Sequence, residues 1–375
     1  MRFLRTLIFP LVLAVSWLPA AEWKLALPGY RYAFPADHFG HPAFQTEWWY
    51  FTGNVKSPGG RVFGYELTFF RQGRKPPEAD SSADGTWDTR ELYLAHLALS
   101  DIDGNRFIHQ ERLNRHGPGI AGESRMEKQI WNGNWSVSLV SENVWRLVAV
   151  HPEFTLRLDL ISEKAPVLHG DDGVHQKAEG AGRASHYVSL TRLRTSGEIV
   201  LEGEPVSVSG TSWMDHEFFT HSMAADQVGW DWFAIQLDDR SELMLYRLRR
   251  RDGSVEPLSG GTFVSPDGET THLRLEDFSL VPMAEWKSPA SGATYPISWK
   301  IRIPRFGLEL KAIPRMQDQE LRSERKIGPS YWEGAMRFEG TRHGTPVAGM
   351  GYLELTGYAD VVNLSGAPVR GGMTR

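Results

Sequence analysis

The sequence of 375 residues contains no cysteine. Disulfide bonds, thiolate metal sites and thiol catalysis are therefore excluded, and stability must come from core packing. A bacterial lipoprotein is excluded as well, because such a protein carries its lipid on a cysteine.

Concentrated positive charge is also missing. The formal net charge is −5, with 41% hydrophobic and 23% charged residues. This is the composition of a folded globular protein, and we expect no nucleic-acid partner. The chain has no G-x-S-x-G motif and no glycine-rich phosphate loop, which argues against a serine hydrolase or a P-loop enzyme.

Long apolar runs are absent beyond the N-terminus. There, Arg2 and Arg5 precede an apolar run over residues 7–18, and Pro19-Ala20-Ala21 follows. This order predicts a secretory signal peptide over residues 1–21, cleaved after Ala20 or Ala21. An uncleaved membrane anchor is the alternative, but the run is short for a spanning helix. We expect an exported protein, periplasmic or secreted, that is not a lipoprotein.

The remainder of the sequence predicts short β-strands separated by turns. The segment "FTLRLDLI" (154–161) alternates apolar and polar residues, and "LYLAHLALS" (92–100) is apolar on both faces. Turn sequences such as "SPGG" and "PDGE" separate these runs, which favours an all-β sandwich or barrel. The 14 tryptophans indicate a wide apolar interior, such as a barrel that encloses one small ligand. Residues 164–186 show no periodicity, and a loop of this length is usually functional or mobile.

The segment "GTSWMDHEFF" (210–219) places three ionisable residues among aromatic ones. In a regular strand, His216 shares an apolar face with Met214 and Phe218, while Asp215 lies on the other face. Desolvation would lower the pKa of His216 and leave a neutral imidazole that can transfer protons. The alternative is a core histidine that is satisfied by a backbone carbonyl.

A strand, turn and strand follow in "GWDWFAIQLDDRSELMLYRLRRRDG" (229–253). Asp231 lies on an apolar face of the first strand, and we expect it opposite Arg247 of the second. This arrangement favours a structural ion pair, because a buried acid needs a partner. Tyr246, on the other face, is a possible phenolic proton donor.

Acids next to aromatic residues recur elsewhere, as in Glu47 before "WWYF". His38 and His41 are a possible metal pair, but no third ligand follows at regular spacing, and we predict no metal site. Tyr352 and Glu354 continue the pattern of acids beside aromatic residues. The residues that we expect to line a ligand site are Glu47, Trp48, Trp49, Tyr50, His96, Met214, Phe218, Trp230, Trp232, Tyr331, Trp332 and Glu333.

Taken together, several segments resemble the lipocalin-like AttH and carotenoid 1,2-hydratase family. These are "TEWWYFTGNV", "GTSWMDHEFF", "GWDWFAIQLDD" with "LMLYRLR", and "YWEGAM" with "GMGYLELTGY", in the family's order from about residue 34 to 358. The resemblance implies an all-β chain of two lipocalin-like antiparallel barrels side by side, residues 28–222 and 223–362, with the ligand region where they meet. It implies no cofactor. Family members include enzymes that add water to a carbon–carbon double bond.

The resemblance also implies site residues. The histidine-x-tryptophan of the carotenoid hydratases gives His216 here, with Phe218 in place of the tryptophan, and their tyrosine-x-aspartate gives Tyr246, with Leu248 in place of the aspartate. We therefore expect His216 and Tyr246 to transfer protons, with Asp215 or Asp231 tuning them.

Two functions follow from this resemblance and from the aromatic, partly polar lining. The first is a cofactor-free hydratase that binds an elongated terpenoid or acyl ligand. The alternative is a non-catalytic carrier of lipophilic molecules that works with components of an ABC-type export system.

Overall fold

The computed structural model describes residues 22–77, 89–221, 223–323 and 328–361. The predicted signal peptide lies outside these residues. The described chain is almost entirely β-strand, in two curled antiparallel sheets, which confirms the predicted lipocalin-like architecture. Its helical content consists of single 3₁₀ turns at Ala36–His38, Leu275–Asp277 and Pro304–Phe306. None of the described helices has the length and apolar character needed to cross a membrane.

The first sheet curls into a near-barrel. Its strands are β1 (Thr46–Lys56), β2 (Val62–Gly73), β3 (Glu91–Asp101), β4 (Arg106–Arg115), β5 (Ala121–Ser124), β6 (Gln129–Asn132), β7 (Trp135–Ser141), β8 (Val144–Val150), β9 (Phe154–Ser162), β10 (Val167–Leu168), β11 (Val174–Gln176), β12 (Ala184–Leu201) and β13 (Glu204–Phe219). Their order is β4-β3-β2-β1-β13-β12-β9-β8-β7-β6-β5, and β10 and β11 also pair with β12. The first strand therefore pairs with the last.

The second sheet forms a half-barrel. Its strands are β14 (Gln227–Leu237), β15 (Glu242–Arg250), β16 (Gly260–Val264), β17 (Thr270–Arg274), β18 (Ser279–Lys287), β19 (Thr294–Ile303), β20 (Leu308–Pro314), β21 (Glu320–Leu321), β22 (Tyr331–Arg342) and β23 (Thr345–Leu355). Their order is β17-β16-β15-β14-β23-β22-β20-β19-β18, and β21 pairs with β22. The chain passes from one sheet to the other between β13 and β14.

Each sheet encloses a hydrophobic core made of alternate residues of its strands. Trp49, Phe51 and Leu67 belong to the first core. So do the alternate apolar residues of "FTLRLDLI", from Phe154 to Leu160, whose inward face was predicted correctly. Phe233 and Trp299 belong to the second core. Because side chains alternate along a strand, the intervening residues point out of each core.

A third cluster forms where the outer faces of the two sheets pack together. It contains Tyr50, Tyr187, Trp213, Trp232, Ala234, Met244, Tyr246, Leu248, Ala335 and Tyr352, with Trp48, Ile102 and Trp230 at its margin. We call this region the inter-sheet layer. One face of β3 enters the first core and most of its other face is buried as well, which accounts for a sequence that is apolar on both faces.

Candidate active site between the two sheets

Four carboxyl groups lie among the aromatic rings of the inter-sheet layer. They belong to Glu66 on β2, Asp215 on β13, Glu333 on β22 and Glu354 on β23, and we call them the carboxyl cluster. Glu66, Glu333 and Asp215 are only 0%, 1% and 4% exposed, whereas Glu354 is partly exposed. Each occupies a strand position that faces the opposite sheet, so sheet packing removes these acids from water.

Burial shifts the pKa values of this cluster upward, because the charged form of a carboxyl group loses its hydration. It raises the pKa of Glu66 to about 7 and that of Glu354 to about 8. The pKa of Glu333 lies well above its usual range because of burial and then because of the charges of Glu66 and Glu354. These surroundings therefore favour the protonated form of Glu333.

Glu66 belongs to a hydrogen-bonded chain of three residues. The Tyr331 hydroxyl donates to Glu66 Oε1 over 2.9 Å, and His96 Nδ1 lies 2.7 Å from the same hydroxyl oxygen. Thr68 also donates to Glu66 Oε1. Glu66 Oε2 and His96 Nε2 are buried and have no hydrogen-bond partner among the described residues. Polar atoms in this state are costly in a folded protein and are typical of functional sites.

Glu333 has a similar arrangement. The Tyr50 hydroxyl donates to Glu333 Oε1 over 2.6 Å. Its Oε2 is buried and has no hydrogen-bond partner in the described part of the chain. One carboxyl oxygen is therefore held in place while the other is available to carry an acidic proton.

Asp215 is more fully hydrogen-bonded. It accepts from Tyr187 and from the Trp213 indole over 2.6 Å each, and it also accepts from the Ser189 hydroxyl. Burial raises the pKa of Asp215 to about 7. The saturation of its oxygens suits an orienting role better than proton donation to a ligand.

The region predicted as a functional or mobile loop supplies further side chains to the layer. His169 Nε2 lies 2.7 Å from Ser189 Oγ. The His175 ring packs 4.4 Å from the Tyr246 ring, centroid to centroid. Burial lowers the pKa of both histidines, so they are neutral. Strands β10 and β11 hold this region against β12.

Aromatic side chains connect and border the polar groups. The Tyr50 and Trp232 rings lie 5.2 Å apart, and the Trp232 indole donates to the Tyr187 hydroxyl over 3.0 Å. Trp48 and Trp230 are partly exposed at the margin of the layer. A cavity of about 10 Å³ also lies between the sheets, with lining residues that include Asn54, Trp213, Gln236 and Tyr352. It has room for about one water molecule.

His216 lies outside this layer, in the core of the first sheet. Its ring stacks on Trp49 with centroids 5.1 Å apart, and its Nε2 lies 2.8 Å from Glu47 Oε1. Burial lowers the pKa of His216, as the sequence predicted. Tyr246 faces the inter-sheet layer instead and donates to the Leu258 carbonyl oxygen. The structure therefore does not bring His216 and Tyr246 together as a pair, because the two side chains lie on opposite sides of the first sheet.

Glu47 is the centre of a buried ion cluster. His41 Nδ1 lies 2.8 Å from Glu47 Oε1, and Arg71 Nε donates to Glu47 Oε2 over 3.1 Å. Burial opposes ionisation of Glu47, but the charge of His41 and these hydrogen bonds outweigh it and hold the pKa of Glu47 far below its usual range. The partner of His216 is thus a carboxylate and not the backbone carbonyl considered from the sequence.

The same cluster brings three possible metal ligands together. Ligand atoms of His41, Glu47 and His216 all lie within 4.8 Å of one another. Sequence spacing could not show this set, because it forms across strands. Glu47 already accepts hydrogen bonds on both oxygens, and the Arg71 guanidinium occupies one side of it. The geometry is that of a hydrogen-bonded ion cluster.

A family model described as AttH-like matches residues 25–358, nearly all of the described chain. The chain belongs to the AttH-like family.

Two solved structures show the same fold as this AttH-like protein. The AttH of Nitrosomonas europaea is 32% identical, with a TM-score of 0.80, and the match covers 89% of this chain and 99% of that one. Kievitone hydratase from Nectria haematococca is 18% identical with a TM-score of 0.67, over 91% and 97% of the two chains.

Curated relatives include enzymes. Kievitone hydratase of Fusarium solani subsp. phaseoli is 23% identical over 274 residues, which is 69% of this chain and 71% of the relative. Dehydratase asqC of Emericella nidulans is 20% identical over 244 residues, which is 62% of this chain and 67% of the relative.

The AttH-like protein places the other expected site residues in three regions. In the inter-sheet layer lie Trp48, Tyr50, His96, Asp215, Trp230, Trp232, Tyr246, Tyr331 and Glu333. Within the first sheet lie Glu47, Trp49, Met214, His216 and Phe218. Asp231 and Trp332 lie in the second sheet, away from the layer.

Asp231 forms ion pairs, as the sequence analysis predicted for a buried acid opposite Arg247. It lies opposite Arg247 in the strand register, with 2.7 Å between Arg247 Nη2 and Asp231 Oδ2. Arg249 and the Tyr358 hydroxyl also contact it. These partners occupy both oxygens, and Asp231 is not part of the carboxyl cluster.

Glu66 is the functional candidate that the sequence analysis missed. The apolar face of "VFGYELTFF" (62–70) lies in the first core, and Glu66 lies on the other face. A useful signal was present, because the neighbours of Glu66 on that face, Gly64, Thr68 and Phe70, carry no charge. Such a face is suited to contact with a second sheet.

Proposed function

We propose that this AttH-like protein is a cofactor-free hydro-lyase that adds water to a carbon–carbon double bond of an apolar substrate, or removes it. The observation that carries this proposal is the buried Glu333 carboxyl, which has one oxygen held by Tyr50 and the other free within an aromatic layer. Catalytic acids must hold their proton at the working pH, and burial provides this here. The hydratase and dehydratase among the relatives support the same reaction class.

Glu333 is suited to act as the general acid. Its Oε2–H gives its proton to one alkene carbon, and the other carbon becomes a carbocation. The faces of Tyr50 and Trp232 and the negative charge left on the Glu333 carboxylate favour this cation. A water oxygen then bonds to the cationic carbon and loses one proton to a base. Return of that proton to Glu333 completes the cycle, and dehydration follows the reverse path.

A substrate needs more space than the closed layer offers, since the cavity there is about 10 Å³. Entry is favoured at the margin, where Trp48, Trp230 and Glu354 are partly exposed. The Trp230 side chain hydrogen-bonds Glu354. Displacement of Trp230 would open a route from solvent toward Glu333, the cross-strand neighbour of Glu354. Apolar substrates are appropriate to such a margin.

The test uses oxygen-18-labelled water and a panel of alkenes that includes prenylated phenols and acyclic terpenoids. Mass spectrometry should detect a product that has gained one labelled water. Glu333→Gln keeps the shape of the acid but removes its proton, and it should reduce turnover by about 10²–10⁴-fold. Glu309→Gln, on the exposed outer face of the second sheet, is the matched control and should keep full activity. No labelled product from any substrate, or full activity of Glu333→Gln, would contradict the proposal.

Lipid carriage with ABC-type export components is the second candidate function, and export itself remains a prediction from the sequence. The partly exposed aromatic rings at the margin favour binding of an apolar ligand in either case. A carrier would bind members of the panel without incorporating labelled water. The same assay, combined with a binding measurement, therefore separates the two functions.

A further inference from the structure

We propose that His96 is the base that accepts the proton of the attacking water, and that Tyr331 and Glu66 are positioning residues that fix its tautomer. This inference rests on the proposed hydro-lyase function. It names the base for the second half of the reaction, in which the attacking water must lose a proton.

The hydrogen-bonded chain determines where the imidazole proton sits. Tyr331 has a single hydroxyl proton, and it is donated to Glu66 Oε1. The hydroxyl oxygen must then accept from His96 Nδ1, which lies 2.7 Å away. A neutral imidazole carries one N–H. His96 is therefore protonated on Nδ1, and its Nε2 presents a free electron pair.

No described residue donates a hydrogen bond to the electron pair on His96 Nε2. His96 is 1% exposed, and its Nε2 has no hydrogen-bond partner. The backbone of Gly328 passes close to this nitrogen, and an added Cβ at Gly328 would lie 3.7 Å from Nε2. An unpaired buried polar atom is costly, so a water that donates a hydrogen bond to Nε2 would be stabilised at this position.

The electrostatic surroundings keep His96 neutral before the reaction. Burial, and then the charge of His109, lowers the pKa of His96 to about 3. Such a weak base is sufficient, because water bonded to a carbocation is a strongly acidic oxonium. Once Glu333 has given up its proton, the negative charge of its carboxylate also favours the imidazolium form of His96.

The step is balanced in atoms and charge. The water oxygen forms a bond to the cationic carbon, and one water proton moves to His96 Nε2, so the product is a neutral alcohol. The imidazolium and the Glu333 carboxylate are then neutralised by transfer of this proton back to Glu333. No oxidant, reductant or further reactant is required.

The first test needs no substrate. Nitrogen-15 NMR of the protein with labelled histidine distinguishes a protonated ring nitrogen from a bare one, and His96→Gln assigns the signal. Wild type should show His96 protonated on Nδ1 and bare on Nε2 throughout pH 6–8. Tyr331→Phe, which removes the acceptor for Nδ1–H, should shift the tautomer population toward Nε2–H. A wild-type proton on Nε2 would overturn the inference, whatever the activity.

The second test is kinetic, with the substrate identified by the labelled-water assay. His96→Gln should lower kcat by about 10²–10⁴-fold with a much smaller change in KM. Tyr331→Phe should lower kcat less and alter its pH profile. His116→Gln, an exposed histidine after β4, should behave as wild type. Active wild type with an equally active His96→Gln overturns this inference alone, whereas an inactive wild type overturns the proposed function and the inference with it.

Discussion

Tyr50 and Glu333 are 283 positions apart in the chain, yet the Tyr50 hydroxyl donates a 2.6 Å hydrogen bond to Glu333 Oε1. Tyr50 lies on the first strand of the first sheet, and Glu333 lies on the penultimate strand of the second. The bond therefore joins the two sheets and orients the proposed acid at the same time.

This bond should be measurable as a coupling between the two sheets. Tyr50→Phe leaves Glu333 Oε1 without its donor and should lower the free energy of unfolding by about 1–2 kcal/mol. Glu333→Gln alone should cost less, because glutamine has the shape of the protonated acid. A double-mutant cycle of Tyr50→Phe with Glu333→Leu, which removes the acceptor oxygen, followed by urea denaturation should give a coupling of at least about 0.5 kcal/mol. Strict additivity of the two changes would show that the bond does not form in solution.

The raised carboxyl pKa values predict how stability depends on pH. Burial raises the pKa of Glu66 and Asp215 to about 7 and that of Glu354 to about 8. The folded state then binds protons more tightly than the unfolded state, so this stabilisation is complete below about pH 4 and is lost as the pH rises through about 7 to 8. Buried histidines with lowered pKa values, such as His96, act in the opposite direction, but only below about pH 6.5.

The carboxyl effect should therefore dominate between about pH 6.5 and 8.5, where the free energy of unfolding should fall. Urea denaturation at several pH values in this window measures the slope. Glu66→Gln has no titrating group at that position and should show a shallower slope. A free energy of unfolding that rises across the window would mean that the cluster is ionised in the folded protein.

Asp231 should matter for stability and not for the chemistry. Asp231→Asn leaves Arg247 and Arg249 without their buried counter-charge, and we expect a loss of about 3 kcal/mol or more in the free energy of unfolding. Turnover per folded molecule should be unchanged. The exposed Asp252→Asn is the control and should alter stability by less than about 0.5 kcal/mol. If Asp231→Asn instead lowered kcat without lowering stability, Asp231 would tune the proton-transfer residues, as the resemblance implies.

His216→Ala tests the histidine that the resemblance placed in catalysis. The substitution leaves a cavity against Trp49 and removes a donor from Glu47, which should lower the free energy of unfolding by about 2–4 kcal/mol. Because His216 does not face the inter-sheet layer, kcat of the folded fraction should change little. Circular dichroism and active-site titration separate these effects. An intact fold with abolished turnover would place the reaction within the first barrel.

Gly64 should control how closely the two sheets approach. A Cβ at this position would lie 2.6 Å from both Ala335 Cβ and the Tyr352 hydroxyl. Gly64→Ala should therefore cost about 1–3 kcal/mol through overpacking. Gly59→Ala is the control, since its Cβ would come no closer than 3.7 Å to Ser57 Oγ. Adding Ala335→Gly to Gly64→Ala should recover part of the loss, and no recovery would show that the contact is made elsewhere.

Local patterns predicted the parts of the structure that depend on neighbouring residues. The alternation in residues 154–161 identified an inward face, and the strand-turn-strand segment placed Asp231 opposite Arg247. Both follow from the two-residue period of a strand and from short turns. The lipocalin-like fold itself came from a resemblance spread along the chain.

The site was harder to predict because it forms between distant strands. Trp49 meets His216 only because β1 pairs with β13, and no local spacing encodes that register. Alternation shows that Glu66 and Phe69 lie on different faces, but it does not show that a second sheet covers the face of Glu66. The sequence therefore shows which residues are able to transfer protons. Only the folded structure shows which of them lie close together.

The order of synthesis gives the inter-sheet layer a further consequence. The first sheet can close once β13 has left the ribosome, but its aromatic outer face has no cover until β23, about 130 residues later. At about 5–20 residues per second, the nascent chain exposes this apolar surface for roughly 7 to 26 seconds. We expect chaperones to bind mainly to this partly synthesised chain. Solubility during expression should then depend more on the rate of translation than on the stability of either folded sheet.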